Sequence, residues 1–194
     1  SLVYMFDDLI KTSNHSKSGF YLNNYEELIE TIHFLKKNRQ KTILLGVTYA
    51  LLDLAEKGIE LSDDFIVMET GGMKGRRKEM LKEELHQTLK AAFKVNTIHS
   101  EYGMTELLSQ AYSNQNGLFK CSPWMKVLVR DISDPFCYVK PGKSGGLNIV
   151  DLANINSCSF IESKDLGKLY DDGCFEVLGR FDNSDLRGCN LMIQ

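Results

Sequence analysis

No apolar run in the 194 residues comes near the roughly 20 that a membrane-spanning helix needs, and no signal-peptide pattern is visible. A surplus of basic charge is missing as well. With a formal net charge of −3, the chain has no electrostatic footprint for nucleic acid or for a polybasic membrane surface. No CxxC spacing occurs, and the cysteines, Cys121, Cys137, Cys158, Cys174 and Cys189, are odd in number. That argues against a disulfide framework or a zinc site and for reduced thiols, hence a cytoplasmic location. There is no internal repeat and no low-complexity stretch. An initiator methionine is also missing: the chain opens on "SLVYMF", as a tag scar or a fragment would. What remains is an ordinary globular composition, long enough for one sizeable core or for a core with a small appendage.

The first two thirds alternate strand and helix. "NNYEELIETIHFLKKN" offers Asn23 or Asn24 as a cap, acids in its first turn and lysines in its last, the polarity a helix dipole favours. "KTILLGVT", "DFIVMET" and "KVNTIHS" read as short buried strands. Between them, "YALLDLAEKG" reads as a helix stopping at Gly58, and "KGRRKEMLKEELHQTLKAAF" as a long amphipathic one. "TELLSQAY" reads as a further helix. This succession predicts a partly parallel sheet with flanking helices. After Gly117 the character changes. "WMKVLVRDI", "GGLNIVDL", "CSFIES" and "CFEVLGRF" are strand-like pieces between turn signals, predicting a small, mainly antiparallel β subdomain.

In open parallel sheets, ligands bind beyond the carboxyl ends of the strands. Two polar loops fall there, "ETGGMKGR" and "HSEYGMTE". Gly71 and Gly72 permit close backbone approach, Tyr102 offers a ring face, Thr105 a hydroxyl, and Glu106 a hard oxygen for Mg²⁺. Plainer readings exist for each: a turn at Gly71-Gly72, a helix cap at Thr105, a salt bridge for Asp165 and Arg180. Lys74, Arg76 and Arg77 read as a solvated first helical turn, although basic groups there oppose the dipole and hint at an anion. His99 reads as a satisfied polar residue at a strand end.

"YGMTE" resembles the Tyr-Gly-x-Thr-Glu signature of the adenylate-forming enzymes, the acyl-CoA synthetases, phenylacetate-CoA ligases and their relatives. Other segments follow in that superfamily's order. "ETGG" resembles its adenine-contacting Gly-Gly segment, and "GKSGGLNIVDL" its Gly-Glu-Leu strand, with Gly146 where the acid usually stands. "SKDLG" resembles the Thr-Gly-Asp segment, and "GRFDNSDLRGCNLM" the Gly-Arg-x-Asp hinge followed by Arg-Gly. The resemblance implies nucleotide contacts from Gly71, Gly72, Tyr102 and Gly103, and ribose contacts from Asp165 and Arg180. It implies catalytic roles for Thr105 and Glu106, with Glu106 holding Mg²⁺ and Asp182 at the hinge.

"VMETGGMKGRRKEM" and "RGCNLM" are closer to the LuxE-type acyl-protein synthetases than to the CoA ligases. In that family a fatty acid is activated with ATP to an acyl-adenylate, passed to a cysteine and handed to a partner reductase. Cys189, after Arg187-Gly188 and five residues before the last residue, matches that acyl acceptor. The resemblance implies the later half of an adenylate-forming N-terminal domain. Residues 1–117 would be its α/β nucleotide-binding portion, 118–182 a β-rich subdomain, and 183–194 a hinge and tail. The superfamily's phosphate-loop pattern does not occur in these residues, so the chain alone is expected to adenylate poorly or not at all. Three alternatives stay open: a CoA or aryl-CoA ligase-like fragment, a non-catalytic nucleotide-binding or partner-docking protein, and a sugar-nucleotide transferase on a similar sheet.

Overall fold

Residues 2–73, 76–77, 80–114 and 116–181 are described in a computed structural model of the chain. They form helix α1 (Leu2–Ser13), α2 (Tyr25–Lys37), strand β1 (Thr42–Val47), α3 (Thr48–Ala55), β2 (Phe65–Thr70), α4 (Lys82–Phe93) and β3 (Ile98–Tyr102). Six strands follow: β4 (Ala111–Ser113), β5 (Phe119–Cys121), β6 (Met125–Arg130), β7 (Ser144–Asp151), β8 (Phe160–Leu169) and β9 (Phe175–Arg180). All nine strands join one sheet in the order β1-β2-β3-β4-β5-β9-β8-β7-β6. The pairs β1/β2 and β2/β3 are parallel, and every later pair is antiparallel. The mixed α/β architecture is the one the strand and helix pattern predicts. No helix among the described residues is long and apolar enough to cross a membrane.

Two hydrophobic clusters hold the sheet. The first packs Ile32, Leu35, Leu51, Leu54, Leu85, Leu89 and Phe93 of the helices against Phe65, Val67 and Ile98 of the parallel strands. The second joins Leu107, Ala111, Phe119, Val127, Leu147, Ile149 and Phe175 beneath the antiparallel strands. Helix α2 starts where Asn24 Oδ1 accepts the Glu27 N–H at 3.1 Å, while Asn24 Nδ2 donates to Glu27 Oε2 at 2.8 Å.

Two expected elements differ. Helix α4 begins at Lys82, and the described residues just before it are not helical. Arg77 reaches back to α3, where Asp53 and Glu56 take its guanidinium, and Arg76 lies 4.8 Å over the Tyr49 ring. Those contacts draw the segment off the helix axis. "TELLSQAY" is not helical either; it forms a turn and then β4. The buried Asp151 carboxylate accepts the Leu108 and Ser109 N–H groups at 3.0 and 2.9 Å and the Ser109 hydroxyl at 2.6 Å. Those donors point at β7 instead of at preceding carbonyls.

Candidate functional site

The carboxyl ends of β2 and β3 set the site. Their register pairs Thr70 with Glu101, which places the Gly71-Gly72 turn beside Tyr102. Gly71 has φ 70°, a backbone region that L side chains avoid, so glycine is required there. Its carbonyl accepts from Thr48 Oγ1 at 3.1 Å. Gly103 answers to a different constraint. A Cβ there would lie 2.5 Å from Glu101 Oε1, so the glycine makes room for a buried carboxyl. Burial raises the Glu101 carboxyl above its ordinary range, against the hydrogen bond donated by Thr70 Oγ1.

Tyr102 is the junction between the strand ends and the later strands. Its hydroxyl donates to Asp165 Oδ2 at 2.7 Å, across 63 residues of sequence. Asp165 and Arg180 are cross-strand partners on β8 and β9, with Arg180 Nη1 3.8 Å from Asp165 Oδ1. The Tyr102 ring meets Phe119 and Phe175 edge-on, at centroid distances of 5.9 and 5.6 Å. Burial, then the Asp165 charge, keeps the phenol well above its usual titration range. Tyr102, Gly103, Asp165 and Arg180 are therefore brought together with the Gly71-Gly72 turn alongside. The Arg180 Nε is buried with no hydrogen-bond partner among the described residues. The Asp165 carboxylate, with the part-exposed Arg180 guanidinium beside it, fits a polyhydroxylated ligand such as a ribose.

Thr105 and Glu106 are exposed on the turn after β3. The turn is clamped from β7 and the 3-10 turn Leu152–Asn154: Asp151 holds Leu108 and Ser109, and Asn154 Nδ2 donates to the Glu106 carbonyl at 2.7 Å. No group of three or more His, Cys, Asp or Glu among the described residues could hold a metal ion. A single exposed carboxylate fits Mg²⁺ only where substrate phosphates and water supply most of the ligands, which is how Mg²⁺ is commonly held.

Burial pushes the Asp151 carboxyl up, but the hydrogen bonds from Ser109, Ala153 and Leu108 outweigh it and leave it below the ordinary range. A lowered native value contributes stability at pH above the unfolded carboxylate range, and that contribution is lost as pH falls through the native value. Asp151→Asn is thus expected to lose about 1–3 kcal/mol at pH 7 by leaving buried donors poorly matched. The gap to the unmodified chain should narrow below about pH 4. Urea unfolding at stepped pH reads this; an equal gap at every pH would refute the assignment of the clamp to the ionised carboxylate.

Sequence reasoning missed a buried charged group under the crevice. Glu69, 1% exposed, accepts from Lys82 Nζ at 2.8 Å, lies 3.5 Å from His86 Nε2, and is contacted by Thr48 Oγ1 at 3.4 Å. His86 in turn meets Ser100 Oγ at 3.2 Å. Burial raises the Glu69 carboxyl, but the Lys82 ammonium and the hydrogen bonds from His86, Lys82 and Ser100 more than offset this and hold it low. A Glu ahead of Gly-Gly, then Lys and His four apart on the next helix, is the only sequence signal. His99 is half-buried, and burial lowers its imidazole. Lys74, Asp182 and Cys189 lie outside the described residues.

No family model and no curated protein sequence matches the chain. Solved structures do match in fold. ATP-bound MatB from Rhodopseudomonas palustris is similar with a TM-score of 0.59 at 15% identity, over 81% of this chain and 33% of its own. The ATP-bound chimera RpMatB-BxBclM B3 is similar with a TM-score of 0.59 at 16% identity, over 84% of this chain and 34% of its own. O-succinylbenzoate Coenzyme A Synthetase (MenE) from Bacillus subtilis, in complex with ATP and magnesium, gives a TM-score of 0.55 at 18% identity, over 81% and 36%. The chain spans about a third of the length of these structures. It therefore shares its fold with part of each of these structures.

Proposed function

We propose that the chain is the nucleotide-binding portion of an acyl-protein synthetase of the LuxE type. Such an enzyme uses ATP to activate a fatty acid or other carboxylic acid, then moves the acyl group to Cys189 for delivery to a reductase-like partner. The observation that supports it best is the convergence of Tyr102 on β3 with the paired Asp165 and Arg180 of β8 and β9, next to the glycine turn after β2. Asp165 and the part-exposed Arg180 guanidinium offer an acceptor and a donor to ribose hydroxyls. Gly71 and Gly72 let a base approach the backbone. A carboxylate is a poor acyl donor until its oxygen attacks the ATP α-phosphate, pyrophosphate leaves, and AMP becomes the leaving group of the acyl-adenylate. The chain's part is positioning, with Thr105 donating to a phosphate oxygen and Glu106 held on its clamped turn. Bound Mg²⁺ would offset phosphate charge, with Glu106 as its protein ligand. A thiolate then takes the acyl group, dividing one hard acylation into two easier steps.

A second reading keeps the same nucleotide site and makes coenzyme A the acyl acceptor. The similarity of fold to a Coenzyme A synthetase favours it. Both readings expect adenine-nucleotide binding, with AMP preferred over a UDP-sugar by at least about tenfold, the worth of one good discriminating contact. Calorimetry with the intact chain decides. Absence of AMP binding, or tighter binding of the UDP-sugar, would remove both.

A further inference from the structure

Lys82 has no role in the functional reading, yet it stands between the two halves of the crevice. It opens α4, and its ammonium donates to Glu69 Oε1 at 2.8 Å. The same ammonium lies 4.8 Å from the Phe119 ring centroid on β5, within cation–π range. On the Glu69 side the contacts run to the glycine turn, because Thr48 Oγ1 touches both Glu69 Oε2 and the Gly71 carbonyl. On the Phe119 side they run through the Tyr102 ring to Asp165 and Arg180. One cation thus touches a carboxylate tied to the turn after β2 and a ring tied to the cluster on β3, β8 and β9. Glu69 is almost fully buried, so its attraction to Lys82 is little screened by water.

We propose that Lys82 is a positioning residue that couples the Gly71 turn to the Tyr102–Asp165–Arg180 cluster, so that both halves of the crevice keep one relative geometry. The ligand side of this inference rests on the nucleotide reading; the coupling itself does not. Neutralising Lys82 removes attraction on both sides at once. Phe119 then loses the cation over its ring, and its displacement passes to Tyr102 and Phe175, whose rings it contacts directly. A ligand spanning both halves must then restore the geometry from its own binding free energy, and its affinity falls.

The test uses the intact chain with ring-labelled tyrosine, Tyr102→Phe identifying the Tyr102 resonances. Lys82→Met is expected to shift those resonances and to weaken AMP about 5- to 20-fold, an ordinary coupling between sites. Lys82→Arg, which keeps the cation, should retain both properties. Lys82→Met with Tyr102→Phe should weaken AMP by less than the product of the single effects. Phe119→Leu leaves the Lys82–Glu69 pair in place and should also move Tyr102 and weaken AMP, which covers the case of a Lys82→Met chain that fails to fold. Unmoved Tyr102 resonances in either folded variant, or multiplicative losses in the double variant, would overturn the coupling. If the unmodified chain binds no AMP, the nucleotide reading fails and the Tyr102 resonances alone decide the coupling.

Discussion

Arg130→Ala is expected to destabilise the chain by about 3–5 kcal/mol, through several buried acceptors left unmatched and a cavity beside them. Arg130 is 6% exposed on β6, directly across from Gly146 of β7. Its guanidinium donates to the Leu147 carbonyl at 3.1 Å, Asn148 Oδ1 at 2.7 Å and the Ser163 carbonyl at 2.8 Å. It also lies 3.3 Å from the exposed Glu162 carboxylate and 5.2 Å from the Phe181 ring centroid. A Cβ on Gly146 would overlap that guanidinium, so Gly146→Ala is expected to cost about 1–3 kcal/mol as overpacking. The two changes should not add, because the alanine methyl enters space that the first removes. Urea denaturation of both single variants and the double variant measures this. Strictly additive losses would mean that the guanidinium does not dictate the glycine.

The same pair explains why position 146 carries no side chain: the buried Arg130 fills the volume that one would need. Nothing near Gly146 in sequence announces this, because the arginine lies on the neighbouring strand, 16 positions earlier in the numbering.

Local features were legible where local forces decide. The Asn24 cap and the charge order of α2 are set within a few residues, and the structure has them; α3 ends at Ala55, three residues before the expected stop, and Gly58, with φ 71°, sits in the turn that follows. The parallel strands were readable because their apolar runs are short, branched and punctuated by glycine. Distant partners overrode the pattern elsewhere. The apolar spacing of Leu107, Leu108 and Ala111 suits a helix, but Asp151, 42 and 43 residues on, captures the donors that a helix would use. Helix α1 has an apolar opening run and no buried residue, so burial gives no hint of it. For the candidate site, Tyr102 was readable from its place at the carboxyl end of a strand, but Asp165 and Arg180 only through motif order; spacing alone gives no reason for their meeting. Beyond the Glu, Lys and His spacing, nothing announced the Glu69–Lys82–Phe119 contacts, since lysine, glutamate and phenylalanine at those positions look like helix surface, strand end and core.

Cys189→Ser is expected to abolish acylation of the chain by a labelled acyl-adenylate while leaving AMP binding unchanged. Cys189 is proposed from the resemblance of Arg187-Gly188-Cys189 to the acyl-protein synthetases, and the raised thiols of Cys121, Cys137 and Cys174 support that choice. Burial pushes the half-buried Cys121 thiol up to about 11, which leaves very little thiolate near neutral pH. Cys137 is exposed, but its Sγ donates to Asp134 Oδ2 at 3.1 Å, and that bond and charge favour the thiol. Cys174 is raised by burial first and by Asp172 next. The Cys158 Sγ donates to the Phe160 carbonyl at 3.2 Å. The thiolate is the attacking form, so each raised value lowers the competing rate. Mass spectrometry after treatment with labelled acyl-adenylate locates the hydroxylamine-labile group, and AMP calorimetry on the same sample shows whether the nucleotide site is intact. Label on Cys189 that disappears in Cys189→Ser supports the acyl-protein synthetase. Label on another cysteine, or undiminished label in Cys189→Ser, sinks that assignment and leaves coenzyme A as the acceptor to be tested on the same adenylate.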